Sequence, residues 1–584
     1  MQPQQIISKV KTMCTALQHG GPDDEGLFIN DTQNLAFGHR RLSIIDLSQN
    51  GHQPMADVAQ KAWITFNGEI YNYLALKAEL LKNGAQFHSN TDTEVIIQAY
   101  LYWGTGAFSK LRGMFAFALY DKERELTYLV RDTTGIKPLY YHIEDAQLTF
   151  ASEVNPIKAA GIATQPDKNW AVRFLAYGHI PEPYTNLENV LSLAKGHFLC
   201  WKNKSSTYTI SPYYTTTKVN YIVDKTEAVS QIRHNLTTAV NRQLIADAPI
   251  GVFLSGGTDS SLITLLANAQ KHKQLNTVSI FFNEKAYDES AYQSIVSKQI
   301  EGNKFTHLIK QHDFEDALPQ IIQSMDMPTT DGINTWFISK YARQDGLKAV
   351  LSGIGADELY GGYPSFSRIR YLRYLKKIPH SLFSMITPFA PDHYKKLNFL
   401  AHDHPFADYL LLRGLFAPSD IAKILDTTIS DIDDILFSDN IVRNTPDYDK
   451  EYAAWLETNL YMQNQLLRDT DVMSMSHGLE VRVPFLDEDF QSLTKNISPQ
   501  IRFDKKHTKK LLIDSFKDIL PAAISARPKM GFSFPLQEWM GQHPDIGNYN
   551  NYQGKVAQNI IRNFKMGKVH WSKSFALYQL QAHG

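Results

Sequence analysis

Two periodicities divide this chain. From residue 28 to about 201, apolar positions fall in short β-branched and aromatic runs, "AWITFNGEIYNY", "MFAFALYD", "LTYLVRD", "LYYH", "LTFASEV" and "GHFLCW", each broken by Gly, Asn or Asp. Runs of this kind predict strands. Helical stretches such as "TDTEVIIQAYLYW" lie between them, an order that fits antiparallel sheets stacked as a sandwich better than a parallel sheet. Around 202–225 the chain turns polar, in "KNKSSTYTISPYYTTTK". Val229, Ile232, Leu236, Val240 and Leu244 then open a helical spacing. Beyond it "APIGVFL", "NTVSIFF" and "KAVLSG" read as buried strands separated by helices, the signature of a doubly wound α/β sheet. From about 364 onward helical patterns dominate, and there is no internal repeat or low-complexity tract. The expected organisation is a sandwich domain over 1–205, a linker over 206–225 and an α/β domain with a helical C-terminal part over 226–584.

Composition narrows the function classes. A chain of 584 residues with 43% hydrophobic content can bury large cores and exceeds a single ordinary domain. Lys+Arg 59 against Asp+Glu 60 leaves a formal charge of -1, without the basic excess that a nucleic-acid surface needs. No apolar stretch is long enough to span a bilayer, and "MQPQQIISKV" lacks the apolar core of a signal peptide. The expectation is a cytoplasmic protein that binds neither membrane nor nucleic acid; a homodimer is compatible with these numbers. The two cysteines, Cys14 and Cys200, form no CxxC pair, which argues against a cysteine zinc site and a disulfide framework.

The candidate chemistry starts at "VFLSGGTDSSL" (252–262), where an apolar strand breaks into glycines and hydroxyls before a helix. In an open α/β sheet ligands bind beyond the carboxyl ends of strands. The free N–H groups of the following helix favour an anion. No G-x-x-x-x-G-K-[ST] string occurs, so the turn, with Ser255, Gly256, Gly257, Asp259 and Ser260, suits a pyrophosphate group rather than a Walker-type γ-phosphate. "KAVLSGIGADELYGGY" is a second strand that breaks into a glycine-rich turn, here with Asp357 and Glu358. Neighbouring strand ends would set Asp259 and Asp357 across one crevice, where carboxylates and phosphate oxygens can share Mg²⁺. That site would hold ATP and Mg²⁺. Taken alone, each turn also reads as a capped, solvated βα loop.

These strings resemble the glutamine-dependent asparagine synthetases and their amidotransferase relatives over nearly the whole chain. The matches in the first half are "GPDDEG", "HRRLSIIDLS", "GHQP", "NGEIYNY", "TDTEV", "GMFAFALYD", "GIKPLYY" and "FASE". Those in the second are "GVFLSGGTDSSL", "YDES", "LSGIGADELYGGY", "DVMSMSHGLEVRVPFLD" and "RPKMGFSFP". The resemblance implies an N-terminal-nucleophile glutaminase followed by a PP-loop ATP pyrophosphatase. It implies that a carboxylate attacks the α-phosphate of ATP, pyrophosphate leaves, and ammonia from glutamine, or free ammonia, displaces AMP to form an amide. By similarity Phe253, Ile280, Ser352 and Gly353 line an adenosine pocket and Lys529 stabilises transition-state charge. The same resemblance implies that Arg41, Asn67, Glu69 and Asp92 bind glutamine and that Asn67 and the Gly68 backbone form an oxyanion hole. Read without the resemblance, "NGE" is a hairpin turn between strands.

This chain departs from the family pattern in three places. The family's glutaminase begins with an exposed cysteine and a short apolar strand, whereas this sequence opens "MQPQQIISKVKTMC" with neither. Cys14 falls among Ile6, Ile7, Val10, Met13 and Leu17 at helical spacing, so it reads as a buried helical cysteine. Gly20 stands where the family usually has arginine. Ile354, in "SGIGADE", replaces the glutamate that asparagine-forming members carry. The leading expectation is therefore an AMP-forming amide ligase of asparagine-synthetase type, with a paralogue acting on a sugar acid or specialised metabolite as the alternative. A tRNA-modifying PP-loop enzyme conflicts with the neutral charge, and a non-catalytic scaffold conflicts with the retained Asp259, Asp357 and Lys529.

Overall fold

A computed structural model describes residues 3–214, 220–271, 275–379, 382–383, 392–438, 447–527 and 530–583. The first half is an α/β sandwich. One layer is a six-stranded antiparallel sheet whose spatial order is β11-β10-β6-β5-β4-β3, formed by β3 (Met55–Ala56), β4 (Ala62–Ile70), β5 (Gly113–Asp121), β6 (Leu126–Arg131), β10 (His197–Lys202) and β11 (Thr207–Pro212). The other layer is divided. The pair β1 (Asp24–Ile29) and β2 (Ala36–Arg41) stands apart from β8 (Gln147–Ala151), β7 (Tyr140–Glu144) and β9 (Val190–Ser192). Phe37, Ala118, Leu129, Leu139 and Trp201 fill the space between the layers. Because β11 pairs with β10, sheet structure continues into a stretch whose polar composition predicts a linker.

The second half is built on a five-stranded parallel sheet, order β14-β13-β12-β15-β16: β12 (Ile250–Phe253), β13 (Asn276–Phe282), β14 (Lys304–Ile309), β15 (Ala349–Leu351) and β16 (Glu480–Arg482). Three of these strands are legible as apolar runs; β14 and β16 are too polar or too short to stand out. Helices connect the parallel strands and pack against them, among them Thr258–Lys271 on β12 and Ile333–Gln344 on β13. They continue beyond residue 364, where Glu457–Leu467 forms a π-helical stretch. Among the described residues no helix is long and apolar enough to cross a membrane.

The two halves share a core, in which Tyr71, Met114 and Ile136 of the first pack with Val278, Val350 and Val481 of the second. Buried charges pin the junction. Lys137 Nζ lies 2.9 Å from Asp471 Oδ1, and Arg482, with no exposed side-chain surface, lies 3.1 Å from Glu69 and 2.8 Å from Glu480.

Candidate active site

The nucleotide-side site forms where β12 and β15 end side by side, with Val252 opposite Leu351. After β12 the chain turns through Leu254–Gly257 into the helix Thr258–Lys271. The turn is held by its own hydroxyls. Ser255 N donates to Ser260 Oγ (3.2 Å), and Ser260 Oγ donates to Gly257 O (3.2 Å). The turn after β15 fits against it so closely that a Cβ on Gly353 would stand 2.9 Å from Ser260 N and 3.0 Å from Asp259 Cβ. The two motifs thus form one crevice, open on a cavity of about 950 Å³.

Phe253, Ser255, Gly257, Asp259, Ser260, Ser352, Gly353 and Asp357 line that cavity. Gly256 lies within the turn, while Ile280 is buried in β13 outside the lining. Lys529 lies outside the described residues.

Two groups that sequence reading missed complete the phosphate side. Lys509 places Nζ 2.5 Å from both Asp259 Oδ2 and Asp357 Oδ1. Burial opposes its charge, but the two carboxylates outweigh burial and raise the ammonium above its usual value. Arg527 donates to Gly256 O (2.9 Å), pairs with Glu289 at 2.5 Å and covers the Tyr292 ring, so it clamps the turn from behind. The only sequence signal for Lys509 is the basic run "KKHTKK" (505–510), which read alone is a solvated segment.

The Lys509 ammonium sits between Asp259 and Asp357, so the pair suits positive charge. Among the described residues no three His, Cys, Asp or Glu side chains form a metal cage. Two carboxylates that need phosphate oxygens to complete octahedral coordination are the donor set Mg²⁺ commonly takes.

Ile354, Asp331, Glu358, Tyr363 and Tyr461 line the same cavity. Tyr363 donates its hydroxyl to Glu358 Oε1 at 2.8 Å. Burial, then Asp469, pushes Asp331 up to about 6. Ile354 packs with the apolar core of this half and offers no proton-accepting atom.

A second cavity, of about 590 Å³, gathers Arg41, Asn67, Gly68, Glu69 and Asp92. The "NGE" triplet is no hairpin turn: Asn67, Gly68 and Glu69 lie inside the nine-residue β4, opposite Ala116, Phe115 and Met114 of β5. Gly68 takes φ 136°, and a Cβ there would stand 2.0 Å from Met114 O, so only glycine fits. Arg41 is committed to the carbonyls of Ser48 (3.0 Å), Ile45 (3.3 Å) and Asp46 (2.5 Å). Asp92 accepts from Ile70 N at 2.8 Å, and burial pushes its carboxyl up to about 6.

Cys14 lies in the helix Pro3–Ala16, as its spacing predicts, and burial pushes its thiol up to about 11. The two cavities share a wall. Asp471 and Glu480 face the second cavity, and their chain neighbours Thr470 and Val481 face the first.

Known proteins match this arrangement along its length. The family model described as asparagine synthase matches residues 231–546, and that of a glutamine amidotransferase domain matches 1–214. "Asparagine synthetase [glutamine-hydrolyzing] 1" of Bacillus subtilis is 31% identical, covering 98% of this chain and 90% of its own. "Asparagine synthetase [glutamine-hydrolyzing] 3" of the same organism is 29% identical over 90% of this chain and 84% of its own. "Amidase chry2" of Gibberella zeae is 27% identical over 92% of this chain and 86% of its own. With both family domains in order and a 31% identical relative spanning nearly the full length, the chain belongs to the asparagine synthase family, carbon–nitrogen ligases that carry a glutamine amidotransferase domain.

Proposed function

We propose that the chain makes an amide from a carboxylate at the expense of ATP, releasing AMP and pyrophosphate. The observation that carries this reading is the crevice where the "SGGTDS" helix start meets Asp259, Asp357 and Lys509. A carboxylate oxygen attacks the α-phosphorus of ATP, and the bond to the β-phosphoryl oxygen breaks. The departing pyrophosphate meets the N–H groups at the start of helix Thr258–Lys271 and the Lys509 ammonium. Asp259 and Asp357 would hold Mg²⁺, which when bound neutralises phosphate charge. Ammonia then attacks the acyl carbon, the bond to AMP breaks, and a proton leaves the new amide nitrogen. Phe253, Ser352 and Gly353 form the adenosine side. Arg41, Glu69, Asp92, Asn67 and Gly68 form the glutamine side, and the segment 206–225 links the two domains. A cytoplasmic location suits ATP and glutamine as substrates.

Ile354 favours a second reading, with a carboxylate other than aspartate as the acceptor. Where the resemblance implies a glutamate in asparagine-forming members, this chain has an isoleucine that lines the cavity and packs against the core. The amidase name of the Gibberella zeae relative points the same way. Screening carboxylic acids for pyrophosphate release tests both readings. ADP and phosphate as products would reject the AMP-forming chemistry, and aspartate as the best acid would reject the second reading.

A further inference from the structure

We propose that the acceptor acid carries a positively charged amino or guanidino group, which seats between Asp331 and Glu358. The inference rests on the second reading of the function proposed above and gives that reading a class of acid. Both carboxylates line the 950 Å³ cavity, together with Tyr363 and Tyr461. They are linked through those rings. Tyr363 donates its hydroxyl to Glu358 Oε1 at 2.8 Å, and the centroids of the two rings lie 5.7 Å apart. Tyr461, carried into the cavity by the π-helical stretch Glu457–Leu467, feels the Asp331 charge, which after burial does most to hold its hydroxyl protonated.

Neither carboxylate is neutralised. Glu358 is 1% exposed, and its Oε2 takes part in no hydrogen bond among the described residues. Asp331 Oδ1 accepts from Gly332 N at 2.8 Å, and Asp331 pairs with no basic side chain among the described residues. A buried carboxylate without a counter-charge is costly, and burial, then Asp469, pushes Asp331 up to about 6. A cation brought by the ligand relieves both groups.

The buried cations nearby are already matched. Lys509 is held by Asp259 and Asp357, and Arg527 by Glu289 at 2.5 Å. Arg413 lies 4.4 Å from the Tyr363 ring and 3.7 Å from that of Tyr461, but Glu457 holds it at 2.7 Å and it does not line the cavity. Aspartate carries an ammonium group too, yet its second carboxylate would meet two like charges here, which is unfavourable. Ile333, Ile338, Ile354 and Leu466 give the same cavity an apolar wall, so an aliphatic spacer between the carboxylate and the cation packs there. The tyrosine rings add faces that attract a cation.

Pyrophosphate release from ATP by the full chain tests this. The acids are the ω-amino acids from β-alanine to 6-aminohexanoate and 4-guanidinobutyrate, each beside the alkanoate and the dicarboxylate of equal length, and aspartate. At one or more lengths the cationic acid is expected to exceed both partners in kcat/KM by about 10- to 100-fold, the worth of one hydrogen bond to a charged group, and Asp331→Asn to bring that ratio within about twofold. A neutral acid, a dicarboxylate or aspartate as the best acceptor would overturn the proposal, as would a preference that survives undiminished in Asp331→Asn. The ranking in the unaltered protein stands as a test even where the variant does not fold. If no acid of any charge releases pyrophosphate, the AMP-forming reading fails, and calorimetric binding of the same acids to the full chain decides the proposal by itself. Tighter binding of the cationic members would then support it, and equal, weaker or absent binding would overturn it.

Discussion

Lys509 Nζ lies 2.5 Å from Asp259 Oδ2, although 250 positions separate the two residues. The contact ties the pyrophosphate-side turn to the C-terminal helices. Asp259→Asn is therefore expected to abolish AMP and pyrophosphate production while the circular dichroism spectrum stays native. Lys509→Ala removes one preorganised charge from the departing pyrophosphate, and its turnover should fall about 10²–10³-fold. Turnover within twofold of the unaltered protein would return Lys509 to a purely structural ion pair.

Substitution at Ile354 addresses the choice of acceptor. An isoleucine accepts no proton, so asparagine formation from aspartate and ammonia should be weak or absent. Ile354→Glu should raise it by up to about 10²-fold, the contribution of one positioned acid–base group. Brisk asparagine synthesis by the unaltered chain, with no gain from glutamate, would contradict this.

Arg482 bridges the halves through Glu69 and Glu480 and has no exposed surface. Arg482→Met strands two buried carboxylates and should cost about 3–5 kcal/mol, read by urea denaturation. Adding Glu69→Gln should recover part of that loss. A cost below about 1 kcal/mol would mean that the pair behaves like a solvated surface bridge.

The nitrogen source follows from the thiols. Burial holds Cys14 protonated up to about pH 11, and its own nitrogen is part of the peptide chain, so it lacks the activated thiolate and free amine that a nucleophile of this type needs. Cys14 is therefore not expected to act as the glutaminase nucleophile, and ammonia-dependent activity should be kept in Cys14→Ser. Glutamate release that disappears in Cys14→Ser would overturn the argument.

His179 is fully buried, and burial, then the Arg468 charge, holds its imidazole well below the ordinary value of 6.5. The unfolded chain takes up a proton near pH 6.5 that the folded chain refuses. Its stabilising contribution is therefore complete above pH 6.5 and declines as pH falls below it. Urea midpoints at pH 7.5 and 5.5 should differ less in His179→Phe than in the unaltered protein; an equal difference would assign the acid sensitivity elsewhere.

Local pattern was enough for the sandwich and for the β12 and β15 strand ends, because a buried strand followed by a glycine-rich turn is written in consecutive residues. It was also enough for the helix around Cys14, where spacing alone sets the buried face. Pattern misled at Asn67–Gly68–Glu69: polar and glycine residues there signal a turn, yet pairing with β5 and the close approach of Met114 O to Gly68 keep them in mid-strand. It said nothing of β14 and β16, whose strand state comes from docking beside neighbours. Only the tertiary structure decided the rest. Lys509 sits in a segment that reads as solvated and Arg527 carries no local mark of its contact, and they gain their roles because folding brings carboxylates and a glycine-rich turn to them from more than 150 positions away.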